Sequence, residues 1–199
     1  MRWNELIEAY KSVEEPSDHD EKMAFWINAY NVMAIKVVLS KYPVDSIKDV
    51  GGWITSVWDM DAGVVAGKMR SLTEIEHEIL RHMGDARIHA AIVCASVSCP
   101  PLRAEAFTAG NLDTQLDEQM RIWLDNEEIG LRIDNDGKRL RISSISQWFS
   151  EDFEKEAGSV RTYLDRFLTE DQKKSLQDDA SISYLSYDWS LNDAKRSEK

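Results

Sequence analysis

From Met23 to Leu39 the chain runs about 17 residues with only Asn28, Asn31 and Lys36 interrupting an apolar stretch. A helix over about Asp20 to Lys41 is apolar nearly all round, and such a helix has to be covered on every side. A membrane span wants roughly 20 mainly apolar residues, so this segment reads as a buried central helix. It should stop by Tyr42-Pro43, because the residue before a proline is pushed out of the helical region. The rest of the chain must be arranged around it.

The material for that arrangement is present. The chain has 199 residues, 43% hydrophobic and 30% charged, with only 9 Gly and 4 Pro, the composition of one globular domain. Trp3, Leu6, Ile7 and Tyr10 predict a first helix, and Gly51-Gly52 opens a loop with Trp53 and Trp58. Residues 64–70 predict a short hairpin. Ser71 and Glu74 have capping-box spacing at the head of a helix that ends near Met83-Gly84. Ile88 to Cys94 is short, contains β-branched residues and lies between turns, so it predicts a central strand. Asn111–Leu124 is an amphipathic helix, and residues 131–133 and 140–142 form a hairpin around Asp136-Gly137. Short helices follow at 144–148, 160–167 and 170–176, with a last strand at 182–185. The fold class is α+β: a single domain over 1–192, mostly helical with a small mixed or antiparallel sheet, and a frayed tail at 193–199.

Charge excludes some functions. With 24 Lys+Arg against 36 Asp+Glu the net charge is −12 and no basic cluster stands out, which argues against nucleic acid and anionic membranes as partners. Two cysteines make no disulfide framework. There is no Cys-x-x-Cys or His-Glu-x-x-His spacing, so no metal is expected. The phosphate-binding and dinucleotide motifs and the Gly-x-Ser-x-Gly elbow are missing too, so no cofactor is expected. Residues 1–15 do not read as a signal peptide. The expectation is a soluble protein, cytoplasmic or exported with its signal absent from this sequence, acting on a small molecule or peptide.

The residues able to carry chemistry cluster in the middle of the chain. Leu72, Ile75, Ile79, Leu80 and Met83 share a helix face, and Glu76 falls near its centre, where a carboxyl is desolvated and its pKa rises. It can equally sit at the edge of the stripe on a backbone group. His77 borders the same face, as a structural or a functional histidine. Asn28 and Asn31 can tie the central helix to loops or line a substrate pocket. In an extended strand His89 and Cys94 face opposite sides, about 17 Å apart. Cys99 lies in a loop stiffened by Pro100-Pro101 and can fold back. A strand returning along the helix after Ser71 brings the cysteine loop near that helix's N-terminus, where thiols ionise more easily. Cys99, Glu76 and His77 are thereby expected to converge, with His89 nearer the other end. A buried structural Cys94 and a Cys94–Cys99 disulfide are the alternatives.

The segments FWINAYN (25–31), KYPVDSIKD (41–49), LTEIEHEILR (72–81), RIHAAIVCASVSCPPLR (87–103), NLDTQLDE (111–118), QWFSEDF (147–153) and YLSYDWSLN (184–192) resemble, in order, the family called domain of unknown function 547. The resemblance covers about residues 20–192. It implies a mostly bacterial family with eukaryotic members, many exported, whose motif positions fall on Asn28, Asn31, Glu76, His77, His89, Cys94, Cys99 and Asp152. Family members usually carry a further segment before the first helix. The order of a helix and then a His- and Cys-bearing strand loosely resembles papain- and transglutaminase-like folds, although the central helix here begins with Asn28 and not with a nucleophilic Cys.

The leading functional expectation is a cysteine-nucleophile hydrolase or acyltransferase acting on an amide, peptide or thioester. Cys99 would attack, His77 or His89 would act as base, Glu76 would orient the imidazole, and loop amides around Ser98-Cys99 would stabilise an oxyanion. The alternatives are a peptide- or protein-binding module without catalysis and a thiol–disulfide redox role for Cys94 and Cys99.

Overall fold

The computed structural model describes residues 2–194 except 53, 54 and 135. Helix α1 (Trp3–Ser12) is followed by α2 (His19–Leu39), whose first turn is capped by the Asp18 carboxylate accepting from the amides of Asp20 and Glu21. Strands β1 (Gly63–Val65) and β2 (Lys68–Arg70) form the expected antiparallel hairpin. Helix α3 (Ile88–Ala91) is a single turn, and α4 (Leu112–Asp125) is the amphipathic helix. Strands β3 (Leu131–Asp134) and β4 (Arg139–Ile142) pair antiparallel. Four short helices follow: α5 (Ile145–Trp148), α6 (Ser150–Ala157), α7 (Val160–Leu164) and α8 (Glu170–Ser175). Strand β5 (Ser181–Tyr184) then pairs parallel to β4, so the sheet β3-β4-β5 is mixed. This is a single α+β domain.

Helix α2 is central, as its composition requires. Met23, Trp26, Ile27, Ala29, Met33 and Ala34 are essentially inaccessible in one apolar cluster that also takes Leu72, Ile75 and Leu80. A second cluster joins α4, the mixed sheet, α6 and α7 around Trp123, Phe153 and Tyr163. Among the described residues no helix is long and apolar enough to cross a membrane.

Three expectations need correction. Ile88–Cys94 is not a strand: residues 88–91 make one helical turn, and Ile92 turns extended. The run is too short for its apolar pattern to separate the two, and Asn31 decides the matter from α2. Its amide donates to the Ala91 carbonyl and its oxygen accepts from the Val93 amide, both at 2.9 Å, so these backbone groups need no strand partner. The papain-like analogy rested on that strand and carries no further argument. Second, the helix after Ser71 forms its capping box, but over Glu74–Leu80 it is a π-helix, closed by the Arg81 amide donating to the Glu76 carbonyl. Gly84, at φ 80°, ends it. Third, Asp193, placed in the frayed tail, accepts from the Tyr42 hydroxyl at 2.7 Å. Trp53, Asn135 and the tail beyond 194 lie outside the described residues.

Asn31→Ala should strand the buried Val93 amide and Ala91 carbonyl, at about 1–3 kcal/mol each. A urea melt is expected to show a loss of at least about 2 kcal/mol; an unchanged midpoint would mean that this pair does not fix the turn.

Candidate active site

Between the two apolar clusters lies a cavity of about 200 Å3. Its floor carries Tyr30, Glu76, Cys94 and Cys99, and its outer wall is built of Trp58, Trp148, Phe149, Tyr187 and Trp189. His77 and His89 complete the lining. The expected convergence of Cys99, Glu76 and His77 is found, and Cys94 and His89 join it because residues 88–94 do not run as an extended strand.

Cys94 lies three residues beyond the α3 turn, and Ala95 after it holds a left-handed φ of 56°, a costly conformation for a residue with a Cβ. The next residues are strapped by the chain's C-terminal segment. Val97 donates its amide to the Ser190 carbonyl, Ser98 to Asp188, and Asn192 to Ala95. This strap delivers Tyr187 to the thiols.

The two sulfurs stand 3.0 Å apart. The Cys94 sulfur also has the Ser96 hydroxyl at 3.0 Å and the Tyr187 hydroxyl at 3.1 Å. The hydrogen bond from Cys99, helped by Ser96 and Tyr187, outweighs burial and brings the Cys94 thiol down to about 6. Cys99 goes the other way: burial and the neighbouring Cys94 charge push its thiol far up. The pair therefore holds one proton at neutral pH, and it sits on Cys99.

This reverses the expected exposure and ionisation of the two thiols. Cys99 is only 5% exposed and protonated, whereas Cys94 is partly exposed and ionised. The cause of ionisation is the neighbouring thiol, not a helix N-terminus. The loop amides proposed for an oxyanion are also engaged: Ser98 N–H donates to Asp188 and Cys99 N–H to the Ser96 carbonyl.

Glu76 is 7% exposed, with Tyr30 donating its hydroxyl to Oε2 at 3.1 Å. Burial, reinforced by the Cys94 charge, lifts its carboxyl to about 7 against the pull of Tyr30 and Arg81. The desolvated carboxyl read from the apolar stripe is thus in place. The histidines serve a separate cluster. His89, 2% exposed, donates Nε2–H to Asp152 Oδ2 at 2.8 Å and stacks on Phe149, ring centroids 4.1 Å apart. Burial lowers its pKa despite that carboxylate, so it is neutral. Arg81 makes two hydrogen bonds to Asp152, of 2.7 and 3.0 Å, and a third to Nδ1 of His77. Burial and that guanidinium lower the pKa of His77 as well, which leaves its proton on Nε2. Neither histidine is among the hydrogen-bond partners of the Cys94 sulfur.

Asn28 and Asn31 do not line this cavity. Asn28 brackets Phe107, donating to its carbonyl at 2.8 Å and accepting from its amide at 3.0 Å. Both asparagines border a separate groove against α1 and residues 102–107. Among the described residues no group of three His, Cys, Asp or Glu is arranged to hold a metal ion. The residues missed in the sequence are Tyr30, Ser96, Arg81 and the aromatic wall. Tyr187 and Trp189, close together just beyond the last strand, were the available signal.

A family described as Protein of unknown function, DUF547, matches the chain over residues 14–124, more than half its length. The motif-like segments 147–153 and 184–192 lie beyond that match. No curated protein and no solved structure matches the chain.

Iodoacetamide should label Cys94 before Cys99, with a rate midpoint near pH 6 in place of the ~8.5 of a free thiol. Equal, slow labelling of both would contradict the ionised pair. For Glu76, the raised pKa means a stabilisation fully present below pH 4.5 and lost as pH rises through 7. Glu76→Gln should therefore gain on the native protein across that window, reaching about 3 kcal/mol above pH 7; a pH-independent gap in urea melts would show the carboxyl to be unperturbed.

Proposed function

The chain belongs to the DUF547 family, whose description names no reaction, and from the site we propose a thiol–disulfide redox protein with Cys94 as attacking thiolate and Cys99 as resolving thiol. The observation that carries this is the pair itself: two sulfurs 3.0 Å apart, the ionised one partly exposed and the protonated one buried. Exchange needs that asymmetry. The thiolate attacks an incoming disulfide, the leaving thiolate departs, and the second thiol displaces the mixed disulfide to close an internal bond. The sulfurs have only about 1 Å to travel to the 2.05 Å of a disulfide.

Acyl transfer at Cys94 draws less support. It would want oxyanion donors and a base at the sulfur, whereas the nearby amides are engaged and the histidines are tied to Asp152 and Arg81. A binding role without chemistry leaves the ionised cysteine unexplained.

Oxidised glutathione tests the reading. The native protein should end with a Cys94–Cys99 disulfide and two released glutathione thiols. Cys99→Ser should stop at a mixed disulfide on Cys94, and Cys94→Ser should react at neither stage, as followed by mass spectrometry. Two reduced thiols after prolonged exposure, together with steady hydrolysis of p-nitrophenyl acetate at Cys94, would overturn it in favour of acyl transfer.

A further inference from the structure

We propose that the oxidant taken up by this dithiol is an alkyl methyl sulfoxide, such as an oxidised methionine side chain. Its sulfur would lie against Cys94, its oxygen toward Glu76 and its methyl among the aromatic rings. The inference rests on the dithiol reading and asks what else the cavity contains that plain disulfide exchange does not need.

Two features stand out. The first is the wall. Trp148 stacks on Trp189 with centroids 5.5 Å apart and planes 13° from parallel, Tyr187 packs against both at 4.8 and 4.4 Å, and Trp58 meets Trp189 edge-on at 5.5 Å. Trp148 is 47% exposed, so this ladder leads from the surface to the thiols. A disulfide partner needs no such cage, whereas sulfur and methyl groups are held well by aromatic rings at about 5 Å. The cavity's 200 Å3 falls below the roughly 300–1,000 Å3 of sites for drug-sized ligands. It fits the tip of a side chain.

The second feature is Glu76. The floor brings together a carboxyl pushed up to about 7 and a thiol brought down to about 6, so that between those values protonated acid and thiolate coexist. That combination suits an electrophilic atom bearing an oxygen that must take up a proton. A sulfoxide is such a group, and its remaining substituents are apolar. Hydrogen peroxide also needs the proton but gives the rings nothing to hold.

The step balances. The Cys94 thiolate bonds to the sulfoxide sulfur while Glu76 gives its proton to the oxygen. That oxygen passes to the Cys94 sulfur as the sulfur–oxygen bond of the substrate breaks, so the thioether leaves and Cys94 becomes a sulfenic acid. Cys99 then attacks the Cys94 sulfur, its proton leaves with the hydroxyl as water, and the internal disulfide forms. An external dithiol reduces that disulfide, becoming oxidised itself, and Glu76 regains a proton as Cys94 ionises. The sulfoxide is reduced by two electrons, which the dithiol supplies.

The test uses the reduced full chain with N-acetylmethionine sulfoxide or an oxidised methionine peptide, dithiothreitol as the dithiol, and chromatography of the thioether. The native protein should turn over, and whichever substrate is faster identifies the free amino acid or the polypeptide as the source. Cys94→Ser should release nothing. Cys99→Ser without added thiol should release one equivalent and leave a dimedone-reactive Cys94. Glu76→Gln should lose about 100-fold in rate, and the native rate should fall above about pH 7. The groups facing Glu76 are Tyr30 from α2, Cys94 from the turn, Asp152 from α6 and Arg81 on its own helix. Cys94 alkylation is read in the same Glu76 variant: an equal fall in both would make Glu76 a mere support and overturn its role as donor. Glutathione exchange without sulfoxide reduction, or peroxide consumed while sulfoxide is untouched, would overturn the substrate and leave the dithiol reading standing. Loss of exchange as well would end both.

Discussion

Two asparagines make a polar interruption tolerable inside the central helix of the fold, and one of them, Asn31, also fixes the turn that leads to Cys94. Each uses both halves of its amide, Asn28 on Phe107 and Asn31 on Ala91 and Val93. A buried amide left half-used would cost more than the helix could easily bear, so the segments that satisfy it are fixed to within a hydrogen bond. The turn carrying Cys94 is one of them. Core and site therefore share a constraint: α2 is held in place by its apolar cover, and the thiol is held by α2.

The electrostatics of the pocket divide into two compartments that share a wall. Arg81 and Asp152 neutralise one another beside the two neutral histidines, and Asp152 is held well below the usual carboxylate range because the His89 and Arg81 hydrogen bonds outweigh its burial. Phe149 lies between them, with His89 stacked on it and Arg81 5.2 Å from its centroid. Glu76 and the thiols also act on each other, the Cys94 charge adding to burial in raising the Glu76 carboxyl. Charge on one raises the cost of charge on the next, so the site prefers a single anion.

Much of this was legible before any coordinates. The all-round apolar run located α2, the Asp-Gly turn supported the second hairpin, and Glu76 was visible because one carboxyl in a stripe of Leu72, Ile75 and Leu80 contradicts the helix around it. Residues 88–94 were misread because so short a run carries no period of its own; a side chain some sixty positions earlier determines their path. The exchange of roles between Cys94 and Cys99 was out of reach for a related reason. Which thiol keeps the proton depends on Tyr187 and Ser96 arriving from different places, and loop proximity alone suggested the wrong exposure.

The strap of residues 187–192 gives the molecule a temporal order. A chain emerging from the ribosome makes α2, the π-helix and both cysteines long before it makes Tyr187 or the carbonyls of Asp188 and Ser190 that bind the cysteine loop. Until those arrive the loop has no partner for its backbone and the thiol lacks part of the set that ionises it. Closure of residues 187–192 over residues 95–98 thus joins parts of the site made early and late in the chain.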